Sequence, residues 1–141
     1  MRMEKAYRGG HELANDASPV HTDQMRFVKL DKAFIGREAL LRRVTTGEST
    51  VIAYLEITTD NDGADPLGGE AVFHNGSLVG SISSAAFGPL SDKFLAFAFL
   101  TPEAAKSGVN VEIAVLGERR QARVLTDAVR DPDNKRLKDA V

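Results

Sequence analysis

The chain changes its hydrophobic rhythm once, near residue 47. Over residues 1–47 apolar residues fall in short clusters between charges. Residues 48–127 are rich in Val, Ile, Phe and Ala, broken at short intervals by Gly, Asn and Asp. Period-two alternation cut by turn residues is a strand signal, so the change predicts a helical or irregular leader docked on a β structure. Six strand segments follow. In 51–57, Val51, Ala53, Leu55 and Ile57 share one face, with Tyr54 and Glu56 on the other. Segments 70–74 and 78–87 flank Asn75-Gly76, a pair suited to a two-residue hairpin because both residues accept positive φ. Residues 94–100 are apolar on both faces, which predicts a strand covered on both sides. Segments 111–116 and 120–126 flank Gly117-Glu118, with Gly117 suited to the first central position of a type II′ turn. Six short strands at this spacing predict a small antiparallel barrel or sandwich, and the fold class is α+β, mainly β.

The leader carries one helix signal. Gly36 serves as N-cap before Arg37, Glu38, Ala39, Leu40, Leu41, Arg42 and Arg43, mostly good helix formers, and Gly47 ends the element. Ile35 is placed to staple against Leu40, and Arg42 and Arg43 suit the negative end of the helix dipole. Residues 26–30 alternate like a short strand. The tail from Arg130 to Val141 is polar and is expected to wrap the surface, turning at Asp131-Pro132.

Composition narrows the possibilities. With 141 residues, 43% hydrophobic and 27% charged, the chain is long enough for one domain with a modest core. A net charge of −2 without a long basic block argues against a nucleic-acid partner. No cysteine is present, which excludes disulfides and thiolate chemistry and suits a reducing compartment; a cytoplasmic location is expected. The N-terminus lacks the apolar stretch of a signal peptide, and no apolar run has the length of a membrane-spanning helix.

Residue-level chemistry is sparse. His11, His21 and His74 have neither helical ligand spacing nor cysteine support, so no metal site is expected. The acidic stretch Asp60-Asn61-Asp62-Gly63-Ala64-Asp65 has its glycine too early for a calcium loop and reads as turn chemistry. Ser81, Ser83 and Ser84 lack the Gly-x-Ser-x-Gly setting of a nucleophile elbow. Gly9-Gly10 follows no strand and makes no phosphate loop. No catalytic constellation emerges from the residues themselves.

Six ordered segments nevertheless resemble one family. Arg2 to Leu13 (RMEKAYRGGHEL) is similar to R-L/M-E-K-G/A-Y-R-G-W-G-x-D/E-L, and Asp23 to Lys32 (DQMRFVKLDK) to D-x-x-R-F-V-K/R-L-D/E-K. Phe34 to Leu40 (FIGREAL) matches F-I-G-R/K-E-A-L, and Asp65 to Val72 (DPLGGEAV) resembles D-P-W-G-G-E-P-V. Gly76 to Gly88 resembles the G-x-x-V-G hairpin, and Asp131 to Leu137 (DPDNKRL) resembles a closing D-P-x-N-x-R-L/M. These are segments of the glycine-cleavage T-protein, or aminomethyltransferase, family, with the dimethylglycine and sarcosine dehydrogenases as the most similar branch.

The resemblance implies that residues 1–47 are the end of a folate-binding domain and a connecting helix, that 48–127 form the family's C-terminal β barrel, and that 128–141 are a surface tail. It implies one-carbon transfer from an amine donor to tetrahydrofolate in the complete protein, with FAD carried only by an upstream domain. The partner is then that upstream folate-binding or FAD domain, or a separate subunit, with no nucleic acid or membrane. The family's catalytic Asp lies upstream of every position present, so no residue here is assigned a catalytic role. The Trp after the family's Y-R-G is missing, since Gly9 runs into Gly10. Glu4, Tyr7, Arg8 and Arg26 are the candidate folate-facing residues: a carboxylate for a pterin N–H pair, and guanidinium groups for a glutamate-tail carboxylate. Glu4 and Arg8 are also spaced as i,i+4 helix partners, a purely structural reading. The alternative is a stand-alone, non-catalytic barrel that binds a small ligand or a partner subunit.

Overall fold

A computed structural model describes residues 2–58 and 64–138. Its centre is a closed antiparallel barrel of six strands: β1 (Val51–Ile57), β2 (Ala71–His74), β3 (Ser77–Gly88), β4 (Lys93–Leu100), β5 (Asn110–Val115) and β6 (Glu118–Leu125). Around the wall the order is β1-β4-β3-β2-β5-β6, and β6 closes back on β1 through Tyr54 opposite Leu125 to Ile57 opposite Ala122. The six predicted strands are all present, and the barrel rather than the sandwich is the solution adopted. Alternation puts Leu55, Val72, Ile82, Ala96, Leu100 and Ile113 inside, each essentially without solvent contact. Burying each of the valine, leucine and isoleucine side chains contributes roughly 1.5–3 kcal/mol.

β4 is apolar on both faces for the reason its pattern suggested. Phe94, Ala96, Ala98 and Leu100 enter the barrel, while Leu95 and Phe97 pack outside it with Met3 and Tyr54. Tyr54 Oη donates to the Met3 carbonyl at 2.7 Å, and burial pushes its phenol up to about 12. The leader therefore lies over the outer face of β1 and β4. Helix α1 (Arg37–Thr46) runs between the predicted glycines; Gly36 has φ 89, and the Gly47 N–H donates to the Arg43 carbonyl. Only Leu40 of α1 is buried. In the tail, Asp131 and Asn134 turn the chain at positive φ before the short helix α2 (Lys135–Lys138).

Three local expectations are corrected. Residues 26–30 form no strand: a 3-10 turn, Met25–Phe27, occupies the start, with Phe27 N–H donating to Gln24 O and Val28 N–H to Met25 O. A closed barrel offers no free edge to which so short a segment could add. Ile35 does not staple onto Leu40 and is fully exposed; the left-handed Gly36 replaces the extended N-cap on which a staple depends. The β5–β6 hairpin turns at Leu116 (φ 48) and Gly117 (φ 87), with Val115 opposite Glu118. Two positive φ values define type I′, whose twist matches the strands, so the turn begins one residue earlier than expected. The predicted acidic turn at 60–65 lies largely outside the described residues; of its members, Asp65 is exposed.

Gly80 marks a close approach of β3 to β4. A Cβ there would lie 1.9 Å from the Phe99 carbonyl oxygen, and its φ of 155° is one that L side chains rarely adopt. We expect Gly80→Ala to destabilise the chain by about 3 kcal/mol or more, because β3 must move off β4. Gly76→Ala, at an open hairpin turn, should cost about 1 kcal/mol. Urea denaturation of the two variants side by side tests the contrast.

Candidate functional site

Where the leader crosses the barrel, two carboxylates are buried. Glu4 has no solvent exposure, and its Oε1 accepts the N–H groups of Leu90 and Ser91 at 2.8 Å each, from the turn between β3 and β4. Gly88 makes room for it, since a Cβ at Gly88 would meet Glu4 Cγ at 2.6 Å. Burial pushes the Glu4 carboxyl upward, but its hydrogen bonds, those two amides among them, bring it below its ordinary value.

Glu12 is the second buried carboxylate. Its Oε1 accepts the Ser83 hydroxyl at 2.7 Å and the Ser84 hydroxyl at 2.5 Å; its Oε2 accepts the Gly9 N–H at 2.6 Å and Arg2 at 3.2 Å. Successive strand side chains normally point to opposite faces. Here the pairing with β4 slips between Ile82 and Ser84, and this bulge lets neighbouring serines reach one carboxylate. Burial raises the Glu12 carboxyl, and the two serines, the Gly9 amide and Arg2 more than reverse that. Glu12 went unrecognised in the sequence, because the bulge that joins Ser83 and Ser84 leaves no mark in the residue pattern.

The four candidate ligand residues separate into a group of three and one apart. Tyr7, Arg8 and Arg26 line one open cleft of about 290 Å³ together with Leu13 and Phe27. Tyr7 is half exposed, Phe27 is 70% exposed, and the Arg26 guanidinium stacks over the Phe27 ring at 4.8 Å. Arg8 also lines a neighbouring cleft of about 410 Å³, walled by Ile52, Tyr54 and Leu125, where the start of β1 diverges from β6. It faces Asp23 at 3.7 Å. Burial lowers the Arg8 pKa, nearby Arg26 adds to that, and Asp23 opposes it. Glu4 lines neither cleft. The arrangement offers aromatic and cationic surface, the chemistry that suits a flat, anionic molecule.

Two of the three histidines make hydrogen bonds within the fold. His21 Nε2 bonds Thr50 Oγ1 at 2.7 Å with its ring against Phe99, His74 Nδ1 bonds the Asn110 carbonyl at 2.8 Å, and His11 is exposed. Among the described residues there is no group of three metal-ligating side chains and no helix long and apolar enough to cross a membrane.

The carboxylates make the leader's attachment acid-sensitive. A group whose folded pKa is depressed contributes stability above its ordinary value, here 4.5, and loses it as pH falls through the folded value. We expect Glu12→Gln to cost about 2 kcal/mol at pH 7, the size of a lost charge-assisted hydrogen-bond set. The gap between variant and wild type should narrow below pH 4.5, as read by urea denaturation across that range.

Comparison with known proteins agrees with the barrel fold. Residues 51–131 match the glycine cleavage T-protein C-terminal barrel domain. Mitochondrial dimethylglycine dehydrogenase of Mus musculus is 32% identical over 142 residues, covering 97% of this chain and 16% of that protein. A probable aminomethyltransferase of Pyrococcus horikoshii is 28% identical over 118 residues, 84% of this chain and 29% of that protein. The glycine cleavage system aminomethyltransferase T from Bartonella henselae shares the fold, with a TM-score of 0.83 at 23% identity over 93% of this chain and 37% of that one. The chain thus spans well under half the length of these relatives. It belongs to the glycine cleavage T-protein C-terminal barrel family.

Proposed function

We propose that this chain acts as the C-terminal barrel segment of a larger folate-dependent enzyme of the aminomethyltransferase and dimethylglycine dehydrogenase type, and that it carries out no chemistry alone. In that reading the complete enzyme passes a one-carbon unit from an amine donor to tetrahydrofolate. Upstream parts supply the catalytic carboxylate and, in a dehydrogenase, FAD. Residues 1–47 end the folate-binding part and lead into the barrel. A cytoplasmic setting goes with the cysteine-free composition.

One observation carries the reading: Tyr7, Arg8 and Arg26 converge on an open cleft at the leader, beside exposed Leu13 and Phe27. An aromatic platform with guanidinium groups suits a flat ring bearing a carboxylated tail. Half-open, it covers one side of such a ligand, and the exposed apolar rim is the kind of surface another domain buries. Glu4 is buried against the β3–β4 turn and lines neither cleft, so a pterin-facing role for it would need the leader to shift when the upstream part is in place.

Tetrahydrofolate titration tests the proposal. The isolated chain should bind tetrahydrofolate more weakly than about 100 μM. Supplying the upstream folate-binding part should restore binding, and Arg26→Met should weaken the restored binding about tenfold, a lost charge-assisted contact. Tight binding by the chain alone would instead identify a self-sufficient ligand-binding barrel.

A further inference from the structure

The two ends of the described chain meet on the barrel through one ammonium group. Lys5 Nζ donates to the Asp131 carbonyl at 2.6 Å, Asp131 Oδ2 at 3.2 Å and Asn134 Oδ1 at 2.7 Å. An ammonium has three protons to give, and these three acceptors match them. The Lys5 side chain is only 19% exposed, so its charge depends on those oxygens. An exposed pair with a single carboxylate is worth little. This contact differs, because one turn supplies every acceptor.

The turn is shaped in advance. Asp131 and Asn134 both have positive φ, and the Asn134 N–H donates to the Asp131 carbonyl at 3.1 Å. Asp131 Oδ1 accepts the Lys135 N–H at 2.7 Å, which leaves Oδ2 for Lys5. Next to it, the Arg130 N–H donates to the Glu4 carbonyl at 3.0 Å, so residues 4 and 5 are gripped together. Immediately afterwards the leader turns at Ala6 (φ 51), with the Tyr7 N–H donating to the Arg2 carbonyl, and delivers Tyr7 and Arg8 into the cleft.

We propose that the Asp131–Asn134 turn is an ammonium-binding clamp for Lys5, and that Lys5 is a positioning residue that sets Glu4 and Tyr7 on the barrel. The ligand-facing role of Glu4 and Tyr7 rests on the folate reading above; the clamp itself does not. Three oxygens converging on a point suit a compact ammonium and not a planar guanidinium, so arginine should not replace lysine here.

Amide hydrogen exchange on the full chain tests the clamp without any ligand. In Lys5→Met and Lys5→Arg, the amides of Ala6, Tyr7 and Arg130 should exchange at least tenfold faster, while those of β1 and β4 keep wild-type rates. Wild-type exchange at Ala6 and Tyr7 in both variants overturns the clamp. Should Lys5→Met fail to fold, Asp131→Ala combined with Asn134→Ala removes both side-chain acceptors from the full chain with the leader untouched. Wild-type protection of Ala6 and Tyr7 in that double variant overturns the proposal equally. The positioning role is read in the protein joined to its upstream part, where Lys5→Met should raise KM for tetrahydrofolate about tenfold with kcat nearly unchanged. Fast exchange with an unchanged KM overturns positioning. A folate reading that fails by itself shows as no tetrahydrofolate binding by the joined wild-type protein.

Discussion

β4 has large apolar side chains on both faces, and most of the remaining architecture answers to that. Its inward residues, Phe94, Ala96, Ala98 and Leu100, are covered by the barrel as it closes. Its outward residues, Leu95 and Phe97, need a second cover that a six-stranded wall cannot provide from within. Met3 and Tyr54 provide it, and with Met3 comes the whole leader. Once the leader lies there, Glu4 and Glu12 are forced out of water. Burying a carboxylate is costly unless hydrogen bonds replace the lost hydration. The β3–β4 turn offers two amides to Glu4, and the β3 bulge offers two hydroxyls to Glu12.

Barrel and leader accordingly divide the work. The barrel is closed, leaving no strand edge for a ligand or partner to extend, and its interior is filled by side chains. The clefts lie on the outer surface, where the leader is pinned. Tyr7, Arg8 and Arg26 stand on the pinned leader, held by contacts that reach β3, the β3–β4 turn and the tail. Helix α1, by contrast, buries little more than Leu40 and leaves Val44 in solvent, and Ile35 just before it is exposed as well. A helix so thinly covered gains little from packing within the described residues.

Local chemistry written in neighbouring residues was legible from the sequence. Asn75-Gly76 determined a hairpin, the alternation in Val51–Ile57 determined which face turns inward, and Gly36 and Gly47 bounded the helix. The two-sided apolar run at 94–100 even announced that something must lie over it. The turn at Leu116-Gly117 and the fate of Ile35 were missed because each depends on a backbone angle set by twist or by neighbouring elements, and side-chain pattern does not encode that angle.

The tertiary structure alone decided which distant groups meet. Glu12 lies 71 residues from Ser83, and Lys5 lies 126 from Asp131. No local propensity relates such pairs; their contact follows from barrel closure, a one-residue bulge and the covering of β4. The sequence by itself determined the strands and the resemblance to a one-carbon enzyme family, while its pattern left barrel and sandwich open until closure of β6 on β1 decided. The structure determined that Tyr7, Arg8 and Arg26 share a cleft while Glu4 is buried against the β3–β4 turn, because only packing converts separation along the chain into proximity in space.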